Sequence, residues 1–245
     1  MSRTALVTGG GSGVGKACAM KLAQDGFNVV VTGRRHEALE QTVQAMGGGR
    51  AISCDVSDAA AVEDLFSQIV SDLGRLDVLF NNAGNNVPAA PIGDVSPEDF
   101  LKVINVNLYG AFLCARGAFN VMRSQSPQGG RIINNGSISA AVPRPGSAPY
   151  TSSKHAITGL TRSISLDSRP FNIACGQIDI GNAASDMTER MTSGVPQADG
   201  TMKSEPVMDV DHVANAVAHM ASLPPEANVQ FMTVMATQMP FIGRG

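Results

Sequence analysis

A tyrosine and a lysine stand four residues apart in the segment PYTSSKHAITGL, which begins at Pro149. The segment is typical of the start of a helix, so Tyr150 and Lys154 leave one helix face about one turn apart. An unperturbed phenol has a pKa of about 10, and a cation held beside it favours the phenolate. We therefore predict that Lys154 lowers the pKa of Tyr150, so that the phenol can act as a general acid or base.

A serine hydroxyl is expected near this pair. Ser137 lies thirteen residues before Tyr150, just after the apolar run RIINN, where it could polarise a carbonyl or alcohol oxygen. The spacing of the pair is weak support by itself. With two tyrosines and five lysines in 245 residues, it arises in about 4% of shuffled chains. The elements that position these residues must supply the rest of the argument.

Strands and helices alternate along the chain. Continuous apolar runs such as FNVVVT and DVLFNN indicate strands buried on both faces, and segments such as HEALEQTVQAM between them are typical of helices. Ser57 and Ser96 are expected to be helix N-caps, with an unbroken helix running from Ser96 through Met122. The pattern predicts one α/β domain over residues 1–245, a doubly wound, Rossmann-like parallel sheet with helices on both faces.

The alternation breaks between residues 181 and 207, where small, polar and Met-rich residues predominate. A loop of that length in a compact domain is usually functional, so we predict a substrate loop or lid. With residues 142–148 it would form a largely apolar pocket. Arg144 and Arg190 could contact an anion there, but we expect both side chains to be solvated.

Composition excludes several classes of function. A net charge of −3 and a pI near 5.8 leave no basic surface for nucleic acid. Neither an N-terminal targeting pattern nor a run of eighteen apolar residues is present, so we expect a cytoplasmic protein with no membrane partner. His212 and His219 lack a third ligand, and we predict no metal site. Four widely spaced cysteines are expected to be buried thiols: Cys18, Cys54, Cys114 and Cys175.

A glycine-rich turn follows the first predicted strand. Gly9, Gly13 and Gly15 lie where that strand meets a helix, with the spacing G-x-x-x-G-x-G. Glycines allow the backbone to approach a pyrophosphate closely, and a helix N-terminus offers unpaired N–H groups and a partial positive charge. This setting predicts dinucleotide binding, and the alternative is a tight turn with a structural role alone.

The end of the second predicted strand indicates which dinucleotide. A site for NAD(H) places an acidic residue there to accept from the ribose 2′-hydroxyl. This chain has Thr32, Gly33, Arg34 and Arg35 instead. Two guanidinium groups can pair with a 2′-phosphate, which favours NADP(H) over NAD(H). The alternative is a solvated pair of arginines on a surface turn.

Several motifs in order resemble those of the short-chain dehydrogenase/reductase family. They are TGGGSGVG from Thr8, DV at Asp55, NNAG from Asn81, VNLYG with Asn107, and the set of Ser137, Tyr150 and Lys154. The resemblance implies an NAD(P)-dependent oxidoreductase, such as a carbonyl reductase, that interconverts a carbonyl and a secondary alcohol by hydride transfer. It also implies a small-molecule substrate and a homo-oligomer, either tetramer or dimer.

The family's site residues carry over to matching positions. The resemblance implies that Tyr150 is the acid/base and that Lys154 lowers its pKa and holds the nicotinamide ribose. It assigns Ser137, rather than Ser139, to orient the substrate oxygen, and Asn107 to support a proton-relay water. The implied cofactor-binding residues are Gly9, Ser12, Gly13, Val14, Gly15, Arg34, Arg35, Asp55, Val56, Asn81, Ala83, Gly84 and Lys154.

Two departures from the family pattern keep alternatives open. Cys175 and Ile180 replace the family's usual Pro and Thr after the active-site helix, and Asn182 could substitute for the threonine contact. The C-terminal ATQMPFIGRG lacks the Asp-Gly-Gly turn of many 3-oxoacyl-carrier-protein reductases, so that activity remains an alternative. A non-catalytic dinucleotide sensor on the same fold is another.

Overall fold

Seven parallel strands form the central sheet of the computed structural model, which describes residues 3–185 and 194–242. The sheet order is β3-β2-β1-β4-β5-β6-β9, and every neighbouring pair is parallel. The predicted doubly wound parallel α/β fold is confirmed. The strands are β1 (Thr4–Thr8), β2 (Asn28–Gly33), β3 (Arg50–Ser53), β4 (Val78–Asn81), β5 (Gly130–Asn135), β6 (Ile173–Gly181), β7 (Val195–Pro196), β8 (Met202–Lys203) and β9 (Phe231–Met235).

The helices begin close to the predicted positions, with one change of cap. Ser96 caps its helix as expected, because its Oγ accepts from the Asp99 N–H at 3.0 Å. Asp58, not Ser57, caps the third helix, since the Ser57 hydroxyl donates to Asp55 instead. The helices are α1 (Gly13–Gln24), α2 (His36–Met46), α3 (Ala59–Leu73), α4 (Pro97–Ile104), α5 (Ala111–Ser124), α6 (Ala148–Asp167) and α7 (Val210–Ser222).

Two apolar cores lie on the two faces of the sheet. Successive strand residues point to opposite faces, so Val7 joins the core under α1, α2 and α7. Leu6 joins the core under α3 and α5. All four cysteines are buried thiols in or beside these cores, as predicted. Burial on both faces explains why the strands have no polar alternation.

The helix predicted to run from Ser96 to Met122 is interrupted. A π-helical turn at Asn105–Gly110 separates α4 from α5. Insertions of this kind inside α-helices frequently mark functional sites. The turn carries Asn107, which is buried, and Gly110, where a Cβ would stand 2.8 Å from Val56 Cγ2. The interruption therefore seats Asn107 beneath the site described below.

The described part of residues 181–207 is more ordered than a plain loop. The β6 strand continues through Gly181, and β7 and β8 form an antiparallel hairpin. Ala183 pairs with Met208, which returns the chain to the edge of the sheet. The remaining part of the predicted lid, with Met187 and Arg190, lies outside the described residues. Within the described ranges, no helix combines the length and apolarity that a membrane span requires.

Candidate active site

A cleft of about 1030 Å³ lies at the carboxyl ends of the central strands. The chain runs from β1 to β2 and β3 on one side of β1 and then crosses to β4 on the other side, and ligands of doubly wound folds bind at such a switch point. A volume of this size can hold a dinucleotide. The predicted site residues that line the cleft are Gly9, Ser12, Gly13, Val14, Gly15, Arg34, Arg35, Asp55, Val56, Ala83, Gly84, Tyr150 and Lys154.

The glycine turn is tightly packed at the N-terminus of α1. Gly9 has a φ of +67°, and a Cβ at Gly15 would stand 2.2 Å from the Gly9 carbonyl oxygen. The Ser12 side chain makes no capping bond, and the first turn of α1 holds no acidic residue. The helix N-terminus therefore offers donors and a positive end to the cleft, which fits a pyrophosphate.

Asn81 does not line the cleft, whereas its neighbour Asn82 does. The Asn81 amide is buried and donates to the Ala111 carbonyl at 2.7 Å, which ties β4 to α5. Asn82 donates from its amide to the Thr8 carbonyl at 2.8 Å, and Thr8 Oγ1 accepts from the N–H groups of Asn82 and Ala83. Sequence analysis did not select Thr8 or Asn82, although both stand at carboxyl ends of strands.

The far end of the cleft combines a fixed carboxylate with arginines. Asp55 Oδ1 accepts from the Ser57 N–H at 3.0 Å and from its hydroxyl at 2.7 Å. These bonds hold the pKa of Asp55 below its usual range, and the charge of Arg34 acts in the same direction. Arg34 and Arg35 are exposed at the rim, after the end of β2. Both arginines line this end of the cleft, and their binding of a 2′-phosphate stays a prediction.

Tyr150, Ser137 and Lys154 come together where the cleft meets a second cavity. Ser137 and Tyr150 both line that second cavity, and the Ser137 side chain acts to lower the pKa of the Tyr150 phenol. Lys154 is 5% exposed, its Nζ donates to the Asn135 carbonyl at 2.7 Å, and it lies 5.5 Å from the centre of the Tyr150 ring. The Asn135 amide in turn donates to Asn82 at 2.8 Å. One network thus links the active-site helix α6 to the cleft floor.

The pKa of Tyr150 is raised, contrary to the predicted lowering. Burial raises the pKa of Tyr150, and the opposing effects of Ser137 and Arg144 do not reverse this. Lys154 is buried as well, which lowers the pKa of its ammonium group to about 8. Sequence spacing correctly predicted neighbours on one helix face, but it carried no information on desolvation.

Asn107 is fixed by three hydrogen bonds. Its Nδ2 donates to the Asn85 carbonyl at 3.0 Å and to Ser153 Oγ at 3.1 Å, and its Oδ1 accepts from the Asn85 N–H at 2.8 Å. Its side chain therefore braces the π-helical turn against α6 and against the loop after β4. Asn107 is not among the residues that line the cleft, and its implied role in supporting a proton-relay water stays a prediction.

A smaller cavity of about 170 Å³ opens beside Tyr150 and Ser137. Arg144 lines it and is not solvated, contrary to expectation: it is ion-paired with the buried Glu205 and donates to Asn182 Oδ1 at 2.9 Å. Asn182 Nδ2 donates to Glu205 at 2.9 Å and to the Pro206 carbonyl at 3.1 Å. Both amide hydrogens of Asn182 are thus in use, so a substitute contact in which this amide donates to a cofactor would break one of these bonds.

The ion pair between Arg144 and Glu205 is expected to stabilise the fold. Glu205→Ala leaves the Arg144 charge without its buried counter-charge, and we expect a loss of about 3 kcal/mol in the free energy of unfolding. Urea denaturation measures it. Glu226→Ala, which removes an exposed carboxylate, should change the value by less than about 0.5 kcal/mol. Equal losses in the two variants would contradict the importance of the pair.

Comparison with known proteins agrees with this architecture. A family model described as short chain dehydrogenase matches residues 3–195. A 3beta-hydroxysteroid dehydrogenase of Mediterraneibacter gnavus is 36% identical over 194 residues, which cover 78% of this chain and 69% of that protein. A 3-oxoacyl-acyl-carrier-protein reductase of Staphylococcus aureus is 33% identical over 234 residues, covering 91% and 92%.

Solved structures extend the likeness to three dimensions. A 3-ketoacyl-(acyl-carrier-protein) reductase from Brucella melitensis, complexed with NADH, superposes with a TM-score of 0.85. It is 25% identical, and the match covers 95% of this chain and 96% of that one. The family model spans most of the chain, including the glycine turn, the Asn107 turn and the Ser137, Tyr150 and Lys154 set. The chain belongs to the short-chain dehydrogenase/reductase family of oxidoreductases.

Proposed function

We propose that this protein is a nicotinamide-dependent oxidoreductase that interconverts a carbonyl compound and a secondary alcohol. One observation supports this most. Tyr150 lines both the dinucleotide-sized cleft and the smaller cavity, and among the described residues it is the one hydroxyl-bearing side chain common to both. Ser137 lines the smaller cavity beside it. A phenol at the junction of a cofactor site and a substrate site is placed to exchange a proton with the substrate.

The cofactor's nicotinamide would supply or accept the hydride. The protein's own residues have the remaining tasks. In reduction, the Tyr150 hydroxyl gives its proton to the oxygen of the carbonyl, while the Ser137 hydroxyl donates a hydrogen bond to that oxygen. Lys154, held by Asn135, keeps a positive charge beside the phenol and favours the phenolate that this transfer leaves. In oxidation the same proton returns to Tyr150.

The cofactor we propose is NADP(H) rather than NAD(H). Arg34 and Arg35 line the cleft after β2, and no carboxylate stands at that strand end to accept from a 2′-hydroxyl. Asp55 is the one carboxylate among the described residues that line the cleft, and its Oδ1 accepts from Ser57. The arginine pair therefore supports recognition of a 2′-phosphate.

We expect Arg34→Ala to weaken NADPH binding by roughly 10- to 100-fold while NADH binding stays within about twofold, because a charge-assisted bond to phosphate is lost. Fluorescence titration of the two cofactors measures the ratio. Arg123→Ala, an exposed arginine near the end of α5, is the control and should leave both affinities unchanged. If Arg34→Ala weakened the two cofactors equally, the preference for NADP(H) would have to be abandoned.

For the substrate we propose an uncharged carbonyl compound. Arg144 is the single charged side chain among the described residues of the inner cavity, and Glu205 neutralises it. The steroid dehydrogenase relative is compatible with such a substrate. A 3-oxoacyl-carrier-protein reductase is the second candidate, because relatives of that description match over nearly the whole chain.

A substrate panel tests the proposal. Purified protein is given NADPH or NADH with neutral ketones, diketones, quinones, sugars and acyl thioesters, and cofactor oxidation is followed. We expect turnover of neutral ketones with NADPH preferred. Turnover confined to acyl thioesters would support the second candidate. Tight cofactor binding without turnover of any compound would support a dinucleotide sensor instead.

We also propose a homo-oligomer. Large apolar side chains are exposed along α4, the π-helical turn and α5, namely Phe100, Leu101, Tyr109 and Phe112. An exposed apolar stripe of this size is typical of an interface between subunits. Sedimentation velocity should give a dimer or tetramer, and a monomer at micromolar concentration would contradict the proposal.

A further inference from the structure

Asp179 on β6 is a partly buried carboxylate directly beneath the active-site serine. Its Oδ1 accepts from the Ser137 N–H at 2.9 Å and from the Gln177 amide at 2.8 Å. The approach is close enough to require glycine at the preceding position, since a Cβ at Gly136 would stand 2.0 Å from Asp179 Oδ1. The carboxylate thus holds the backbone of Ser137 in place through this hydrogen bond.

The carboxylate is held from the side of the active-site helix. Gln177 is fully buried, its Nε2 donates to Thr158 Oγ1 at 3.1 Å, and its Oε1 accepts from Thr161 Oγ1 at 3.0 Å. Both threonines lie on α6, the helix that carries Tyr150 and Lys154. One set of hydrogen bonds therefore fixes Asp179 relative to Ser137 and to α6 at the same time.

The charge of Asp179 affects the pKa values of both Tyr150 and Lys154. It raises the pKa of Tyr150, in the same direction as the larger effect of burial. It also raises the pKa of Lys154, where the larger effect of burial acts in the opposite direction. Burial also raises the pKa of Asp179 itself, while Gln177, the Ser137 N–H and Lys154 lower it. The net effect is a raised pKa, so the two hydrogen bonds and the charge of Lys154 favour the ionised carboxylate but do not outweigh its burial.

The other charges around the site are few among the described residues. Arg144, from the loop before α6, lowers the pKa of Tyr150. The α4 helix packs against α6 and carries Glu98, Asp99 and Lys102, none of which acts on Tyr150 or Lys154. Asp179 is therefore the one described carboxylate whose charge acts on both groups.

We propose that Asp179 is a positioning residue for the proposed reaction: it fixes the backbone of Ser137 relative to α6, and it places a negative charge beneath this end of the site. The inference rests on the proposed function for its catalytic meaning. Its electrostatic part concerns the folded protein alone and has a readout that requires no turnover.

Asp179→Asn separates charge from geometry, because the amide oxygen can still accept from the Ser137 N–H and from Gln177. Removing the negative charge lowers the pKa of both Tyr150 and Lys154. In the reducing direction, the alkaline limb of the pH profile of kcat/KM should therefore move to lower pH by roughly half a unit or more. Asp167→Asn, at the exposed end of α6, makes the same change in net charge and should leave the pH profile unchanged.

The chain offers a direct measurement of the phenol. It contains two tyrosines and no tryptophan, so in a Tyr109→Phe background the near-ultraviolet absorbance of tyrosinate reports Tyr150 alone. A rapid pH jump titrates the ring before the chain unfolds. The midpoint should move to lower pH with Asp179→Asn and stay unchanged with Asp167→Asn. Because this readout needs no substrate, a failure of the proposed activity would not hide the result.

Asp179→Ala is the second variant. It should show the same shift of the tyrosinate midpoint, together with a loss of about tenfold in kcat because the Ser137 N–H loses its acceptor. If neither neutral variant moves the midpoint or the pH profile, or if Asp167→Asn moves them equally, Asp179 has a structural role alone and the inference is overturned.

Discussion

Tyr150→Phe should lower kcat for carbonyl reduction by roughly 1,000-fold while leaving the affinity for the dinucleotide within about twofold. The substitution removes one hydroxyl and keeps the ring, which packs at the junction of the cleft and the inner cavity. Ser137 keeps its own hydroxyl, which lines the inner cavity. The developing negative charge on the substrate oxygen would then have a hydrogen-bond donor but no proton source. Steady-state kinetics with fluorescence titration measures both quantities.

Tyr109→Phe is the matched control, because Tyr109 is the other tyrosine of the chain and its ring is exposed on the π-helical turn. Removal of the Tyr109 hydroxyl in this variant should change kcat by less than about twofold. Retention of more than a tenth of the activity in Tyr150→Phe would show that another group donates the proton.

The second large effect is expected for Gly15→Ala. A Cβ at this position would stand 2.2 Å from the Gly9 carbonyl oxygen and 2.6 Å from the Asn82 amide nitrogen. Neither neighbour can yield, since one is backbone and the other is bonded to the Thr8 carbonyl. The turn must therefore shift, and we expect a loss of about 2–3 kcal/mol in unfolding free energy. Dinucleotide affinity should fall by at least about 100-fold, because the turn holds the backbone donors.

Gly93→Ala is the control for the added methyl group. Gly93 is exposed, no heavy atom lies within 4 Å of a Cβ built there, and its φ is not in the left-handed region. It should retain full dinucleotide affinity and wild-type stability. Normal cofactor binding by a folded Gly15→Ala variant would show that the glycine turn does not form the pyrophosphate site.

The fold was predictable because burial on both faces leaves a strong record in sequence. Leu6 and Val7 point into different cores, so the strand reads as a continuous apolar run. The helix caps were less certain, because Ser57 and Asp58 are adjacent and both suit an N-cap. The hydroxyl of Ser57 bonds to Asp55, and that choice depends on tertiary structure.

Residues with family motifs were located from sequence, whereas their supports were not. Spacing along α6 placed Tyr150 and Lys154 on one face, yet the sign of the Tyr150 pKa shift depended on burial. Asn82 was passed over for Asn81, although a strand's alternation sends the two side chains to different sides. Ser137, which donates to Asp179, and Glu205, which pairs with Arg144, lie 42 and 61 residues from them in sequence, so no local pattern reveals these contacts.

We propose that hydride passes between a bound nicotinamide and a carbonyl carbon while Tyr150 supplies the proton. The most direct measurement uses NADPH carrying deuterium at both C4 positions, a ketone turned over by the protein, and mass spectrometry of the product. We predict one deuterium on the carbinol carbon with the wild-type protein and almost no product with Tyr150→Phe. Product alcohol without deuterium, or equal labelling at equal rates by the variant, would contradict the account.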